Sequence, residues 1–335
     1  MTQDRIASFG TLPDGGQVQR VTISRDGLHA HVLTYGATLQ DLRLDGMAHP
    51  LVLGWPTLED YLQGGGYFGA IVGRFANRIA GGRFQVGGRW HQADRNFLDR
   101  HTLHGGSKGS DKMLWTLAAQ SEDTVTLSLE MPDGHMGFPG NLSVEVSYAI
   151  RPGPALEITI EALSDQETPC NFAPHNYFVL GNSGKICDHR MVLAADCYLP
   201  VDDDLIPTGE QQGVEGTEFD FRKLRAIGAF PLDHNFCLAP RRGAMSEVGE
   251  LLSPDGRLGM QIATTEPGLQ VYTNSHFDEP GRQGLLGRPY GRYSGVALEP
   301  QIWPDAMNQN GFPEAILAPG MTYRSRSQFR FQHLI

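Results

Sequence analysis

The chain has 335 residues, with 27 Lys and Arg against 38 Asp and Glu, for a formal net charge of −11. That balance excludes a polyanionic partner such as nucleic acid, because phosphate binding needs concentrated positive charge. No apolar run reaches the ~18 residues needed to cross a bilayer, and the N-terminal MTQDRIASFG lacks the basic and apolar regions of a signal peptide, so a cytoplasmic protein without a membrane partner is expected.

In chain order, short alternating runs at residues 18 to 24 and 28 to 34 read as the first strands. Thr57 to Asp60 has the spacing of a capping box and opens one short helix ending at Gln63. Gly64 to Gly69, GGGYFG, matches a dinucleotide-loop pattern, but it follows a helix and enters an apolar run, the reverse of what that loop needs, so it reads as a turn. Ser107 in GGSKG matches a nucleophile-elbow pattern, yet no helix follows, so a loop is expected.

Strand signals strengthen beyond residue 120. Thr124 to Met131 places Val125, Leu127, Leu129 and Met131 on one face, and Asn141 to Ile150 does the same with Leu142, Val144, Val146, Tyr148 and Ile150. The second run passes through Arg-Pro-Gly-Pro-Ala into LEITIEA, which predicts a hairpin. Further runs lie at 84 to 86, 190 to 194, 258 to 263 and 322 to 331. Asp202, Asp203 and Asp204 lack calcium-loop spacing and read as a solvated turn. Cys170, Cys187, Cys197 and Cys237 have no metal-binding spacing and read as reduced.

With 41 Gly and 21 Pro, turns must be frequent, and strands are their natural partners. The expectation is an all-β fold, a large antiparallel β-sandwich with very little helix, forming one domain over residues 1 to 335.

Candidate chemistry centres on Gly295 to Asn308, where Val296, Ala297 and Leu298 read as a buried strand ended by Pro300, leaving Glu299 at its end. His175 stands among aromatic residues in PHNYF, where a strand-like run meets a turn. Arg74, Asn77 and Arg78 in GRFANR, His104 in LHGG and Asp233 in DHNF each combine polar groups with an aromatic ring or a glycine. Such an inventory suits a sugar, whose hydroxyls want forked polar partners and whose C–H face wants an aromatic surface. Neither a metal nor a cofactor is called for by these residues.

These motifs carry a family resemblance. GATLQDL, GRFANRI, TLHGG, GFPGNL, PHNYF, LPVDDDLIPTGE, LDHNF and LEPQIWPDAMN, in that order across nearly the whole chain, resemble the aldose 1-epimerase (galactose mutarotase) family. The resemblance implies a galactose mutarotase-like sandwich with an open sugar cleft and cofactor-free exchange of the anomers of a free aldose such as galactose or glucose. It implies Glu299 as general base and His175 as general acid, with Arg74, His104, Asp233, Asn77 and Gln301 holding the sugar. His104 is a second candidate for the acid. Val179 and Leu180 after PHNYF, and Ile302 and Trp303 after Glu-Pro-Gln, depart from the family pattern and are expected to bear on which sugar is taken.

The chemistry needs only one base and one acid: loss of the C1 hydroxyl proton and protonation of the ring oxygen open the ring to an aldehyde, which rotates and recloses. Nearby carboxylates are expected to hold His175 protonated around its ordinary ~6.5. Two other readings remain open. A glycoside hydrolase would pair Glu299 with Asp233 or Asp305, and a carbohydrate-binding protein would keep the sandwich without the acid and base.

Overall fold

The computed structural model describes residues 5–334. Period-two sequence becomes antiparallel sheet throughout. The strands Leu142–Arg151 and Ala155–Ser164 form the expected hairpin, paired without interruption from Leu142 opposite Ser164 to Arg151 opposite Ala155. They sit in a nine-stranded antiparallel sheet that runs Thr116–Gln120, Thr124–Met131, the hairpin, Tyr323–His333, Leu258–Thr264, Ser246–Leu252, Arg190–Leu193 and Arg225–Ala226.

A six-stranded sheet lies against it, in the order Tyr177–Phe178, Val296–Gln301, Gly268–Tyr272, Asp233–Cys237, Cys197–Tyr198 and Gln212–Gly213. Phe178 from this sheet meets Phe329 from the larger one at 4.7 Å between ring centres. A four-stranded sheet, Ile6–Thr11, Gln17–Arg25, Leu28–Leu33 and Leu39–Leu44, adds Val21, Ile23 and Val32 to the same contiguous apolar core. Burial of this apolar surface is the main driving force of the fold.

The described residues contain a single α-helix, Leu58–Gln63, whose N-cap Thr57 accepts from the Asp60 amide as the capping-box spacing requires. Among the described residues no helix is long and apolar enough to cross a membrane. The four cysteines are all free.

Two features differ from expectation. Pro300 does not end its strand, which continues to Gln301 with Pro300 opposite Leu269. The neighbour on the other flank, Tyr177–Phe178, pairs only with Ala297 and Val296, so a missing N–H at 300 breaks no ladder there. The three-aspartate run does form a turn, in which Asp202 Oδ1 accepts from the amides of Asp204 and Ile206. Asp204 is not simply solvated, however, because it pairs with Arg100 and with His101 on a neighbouring loop.

Candidate active site

The six-stranded sheet has one apolar and one polar face. Phe236, Leu269, Val271, Val296 and Leu298 turn into the core. The alternate positions build a row across three neighbouring strands, because Asn235 lies opposite Gln270 and Gln270 opposite Glu299. Directly opposed residues on antiparallel strands share a face, so Glu299, Gln270, Asn235, Asp233 and Tyr272 belong to one polar surface. Glu299 is therefore an interior strand residue, 2% exposed.

Loops then bring the remaining groups over that row. His175 is pinned by its own backbone: its amide donates to Ala70 O at 2.9 Å, and its carbonyl accepts from Gly69 N at 3.0 Å. Its Nε2 stands 3.5 Å from Glu299 Oε1. The TLHGG and GRFANR loops pack backbone to backbone at Gly105, where φ is +83° and a side chain would collide with the carbonyl of Gly73. That approach lets the Asn77 amide donate to His104 Nδ1 at 3.1 Å. Arg78 Nη2 donates to Asp233 Oδ2 at 3.1 Å, and Gln270 Nε2 donates to Asp233 Oδ1 at 2.6 Å.

A cavity of about 400 Å³ opens above these groups, lined by Asn77, Arg78, His104, His175, Asp233 and Glu299. Its walls are largely aromatic or apolar, from Tyr67, Phe97, Tyr177, Leu205, Tyr272 and Phe277. The Tyr67 ring stacks on His175 at 5.6 Å between centres and meets His104 edge-on at 4.6 Å.

Burial governs the ionisation of the site. It holds the Glu299 carboxyl well above the usual carboxylate range, with Asp233 adding repulsion and Arg78 opposing. It also pushes His175 down to about 4. The expectation that carboxylates hold His175 protonated near its ordinary value is thus corrected: loss of water around the ring outweighs the attraction of Asp233. His104 falls well below its ordinary value for the same reason, helped by repulsion from His175 and Arg78.

His104, His175 and Glu299 place one ligand atom each within 4.8 Å of one another, the one such three-residue group among the described residues. The hydrogen bond from Asn77 decides what His104 does there. An Nδ1 that accepts must be bare, so a neutral His104 carries its proton on Nε2 and acts as a donor. A ring in that tautomer does not offer Nε2 to a metal.

Of the residues expected from sequence to serve the site, Glu299, His175, His104, Asp233 and Asn77 line the cavity together. Arg74 does not. It is fully buried, and Nη1 donates to the carbonyls of Pro139 and Gly140 at 2.9 and 2.8 Å and to Thr168 Oγ1 at 3.3 Å. Its Nη2 donates to Met131 O at 3.2 Å. Arg78, four residues on, is the guanidinium in the cavity. Gln301 is also fully buried and lies outside the cavity lining.

The two departures from the family pattern are core residues. Val179 and Leu180 belong to the main apolar cluster, Ile302 packs with Phe75 and Ile79, and Trp303 Nε1 donates to Pro267 O at 2.8 Å. Asp305, the other candidate partner for Glu299, accepts from Ala80 N at 2.9 Å and from Asn308 and Gln309 at 2.6 and 3.0 Å, outside the cavity. Sequence reasoning missed Tyr67, Phe97, Tyr272 and Phe277 as cavity walls. Only the position of Tyr67 within GGGYFG carried any signal, and it read as a turn.

A family model described as Aldose 1-epimerase matches residues 19–330. Galactose mutarotase from Rattus norvegicus is 41% identical over 336 residues, covering 96% of this chain and 97% of the relative. Among solved structures, the GalM/aldose epimerase homologue from C. elegans superposes with a TM-score of 0.88 at 27% identity, covering 94% of this chain and 99% of that one. Galactose 1-epimerase from Lactobacillus acidophilus NCFM gives 0.86 at 29% identity, covering 98% of each chain.

Proposed function

The chain belongs to the aldose 1-epimerase family and is an isomerase that interconverts the α and β anomers of a free aldose; we propose that galactose is a substrate, with Glu299 as the base and His175 as the acid. The observation that carries this reading is the buried His175–Glu299 pair at 3.5 Å, facing a cavity with aromatic walls and further polar groups.

C1 of a cyclic aldose bears both the hydroxyl that must lose a proton and the ring oxygen that must gain one. An acid and a base in adjacent positions therefore serve the two oxygens of one carbon. Burial disfavours both the Glu299 anion and the His175 cation, so by itself the pair holds one proton in its uncharged arrangement. A bound sugar alters that balance. Its C1 hydroxyl donates to the carboxylate and its ring oxygen accepts from the imidazolium, and hydrogen bonds to a charged form favour that form.

Glu299 then takes the C1 hydroxyl proton as His175 gives its proton to the ring oxygen, and the C1 to ring-oxygen bond breaks. Rotation about the C1–C2 bond presents the other face of the aldehyde. Reversal of the two proton transfers closes the opposite anomer and restores the pair. Each group contributes a factor of ~10²–10⁴.

His104, fixed as an Nε2–H donor and kept neutral by burial, supports a sugar hydroxyl rather than supplying a transferable proton. The 3.5 Å approach of His175 Nε2 to Glu299 Oε1 favours His175 over His104 as the acid. Arg78 and Asp233, locked to each other, offer a donor and an acceptor to neighbouring hydroxyls. A fresh solution of a single galactose anomer, followed by optical rotation, tests the reading: the enzyme accelerates the approach to equilibrium. A rate equal to that of buffer, or cleavage of a nitrophenyl galactoside, contradicts it.

A further inference from the structure

Two apolar groups of the catalytic cavity come from turns far apart in the chain. Phe97 belongs to residues 97–101 and Leu205 to residues 202–206, and both line the cavity. Both turns adopt backbone that residues other than glycine rarely take. Leu98 and Asp99 have φ of +52° and +55°, and Leu205 has φ of +60°. Such conformations persist only where the surroundings fix them, and they gather at ligand sites. Within the first turn, the amides of Phe97 and His101 each donate to the other's carbonyl, at 3.0 and 2.9 Å. In the second, Asp202 N donates to Ile206 O at 2.9 Å. These bonds shape each turn but do not hold one beside the other.

Asp204 joins them. One of its carboxylate oxygens pairs with Arg100, and the other lies 3.2 Å from His101 Nε2. The Gly81 amide donates to His101 Nδ1 at 3.0 Å, so a neutral His101 carries its proton on Nε2 and donates it to Asp204. Arg100 is 59% exposed, and an ion pair so open to water holds little. The bond from buried His101 is therefore the stronger tie. Its effect reaches the groups that hold the sugar: the Phe97 ring lies against Arg78, with the guanidinium carbon 4.7 Å from the ring centre, and Arg78 is the partner of Asp233.

We propose that Asp204 is a positioning residue of the catalytic cavity: by clasping the two turns it holds Phe97 and Leu205 as one apolar wall beside Arg78, against which a C–H face of the sugar rests. This deepens the reading of the cavity as a sugar site and rests on it. Neither the base nor the acid depends on the clasp, because Glu299 lies inside a strand and His175 is fixed by Gly69 and Ala70. Binding therefore responds to the clasp and proton transfer does not.

Initial-rate polarimetry of the full chain on a single galactose anomer, with thermal unfolding measured alongside, tests the clasp. Asp204→Ala raises KM about 5- to 10-fold, the worth of roughly one hydrogen bond, and leaves kcat within about twofold. His101→Phe keeps a ring, removes the donor and gives the same rise. The two effects do not add, so the double variant has the KM of either alone. Asp203→Ala takes the same charge from an exposed position in the same turn and leaves KM at the wild-type value. Leu205→Gly removes part of the wall but suits the φ of +60°, so KM rises while Tm holds. A residue needed only for folding would show the reverse.

Wild-type KM in Asp204→Ala or in Leu205→Gly, KM increases that multiply in the double variant, or a fall in kcat with KM unchanged overturns the proposal. Should Asp204→Ala not fold, His101→Phe and Leu205→Gly decide it by the same readings. Failure of the wild type to exchange galactose anomers would remove the enzymatic reading alone. Titration with galactose then reads the clasp by itself: weaker binding in Asp204→Ala supports it, and equal binding overturns it.

Discussion

Replacing Arg74 separates a structural role from a sugar-binding one. The side chain is 0% exposed and reaches the segment from Met131 to Gly140, where its contacts to Gly140 O, Pro139 O and Met131 O measure 2.8, 2.9 and 3.2 Å. Burial lowers its guanidinium only to about 10, so it is charged at neutral pH and its bonds to these carbonyls are charge-assisted. Arg74→Ala strands three carbonyls at ~1 kcal/mol or more each, and lost packing of the side-chain stem adds ~1 kcal/mol. The total is ~4 kcal/mol. For 335 residues the unfolding entropy is about 0.7 kcal/mol/K, which converts that loss into a fall in Tm of about 6 °C.

Arg74→Lys keeps the charge but cannot serve both prongs of the fork, so an intermediate loss follows. Thermal unfolding by circular dichroism measures the shift, with KM for galactose measured well below the transition. The structural role predicts a large loss of Tm with KM little changed. Unaltered Tm with a KM raised about tenfold would refute the reasoning and return Arg74 to the sugar.

Other consequences follow from the same geometry. Arg78→Ala removes the cavity guanidinium and leaves Asp233 without its ion-pair partner, so KM should rise about 10-fold or more, measured by initial-rate polarimetry. Asp111 has its folded carboxyl raised from 3.8 to about 6, so the folded state binds more protons between those values and loses stability as pH rises through them. Asp111→Asn should therefore raise Tm at pH near 8, by up to ~3 kcal/mol of stability, and have little effect near pH 4; equal shifts at both values would contradict the assignment. The one-proton state of the His175–Glu299 pair is reached as pH rises through about 4 and is lost as pH rises through the raised value of Glu299, because burial lowers His175 and raises Glu299. The profile of kcat/KM should fall at acid pH with a limb near the lowered value of His175, whereas an acid limb near the ordinary ~6.5 of histidine would show that burial does not govern the ring.

The hairpin between residues 142 and 164 and the run at 124 to 131 were legible because alternation reports directly which face meets the core. The short helix was legible because its cap is a local hydrogen bond. That Glu299 and His175 share one cavity was legible through ordered motifs, although Glu299 proved to be an interior strand residue rather than a strand end. Arg74 rather than Arg78 was expected at the sugar, because no period in the motif reports which of the two guanidinium groups faces the cavity. Asn77, at φ +65°, turns the backbone between the buried arginine and the one in the cavity. Ile302 and Trp303 misled for a related reason: nearness to Glu299 along the chain does not specify direction, and both side chains turn into the core. The aromatic walls come from loops far apart in sequence, and only the folded chain assembles them.

The most direct test of the central claim is the turnover of Glu299→Gln on a single galactose anomer, beside His175→Asn and the wild type. Loss of the base predicts a kcat at least ~10²-fold lower in Glu299→Gln, with a comparable loss in His175→Asn and an unaltered circular dichroism spectrum. Wild-type turnover in either variant would contradict the assignment of that residue to proton transfer.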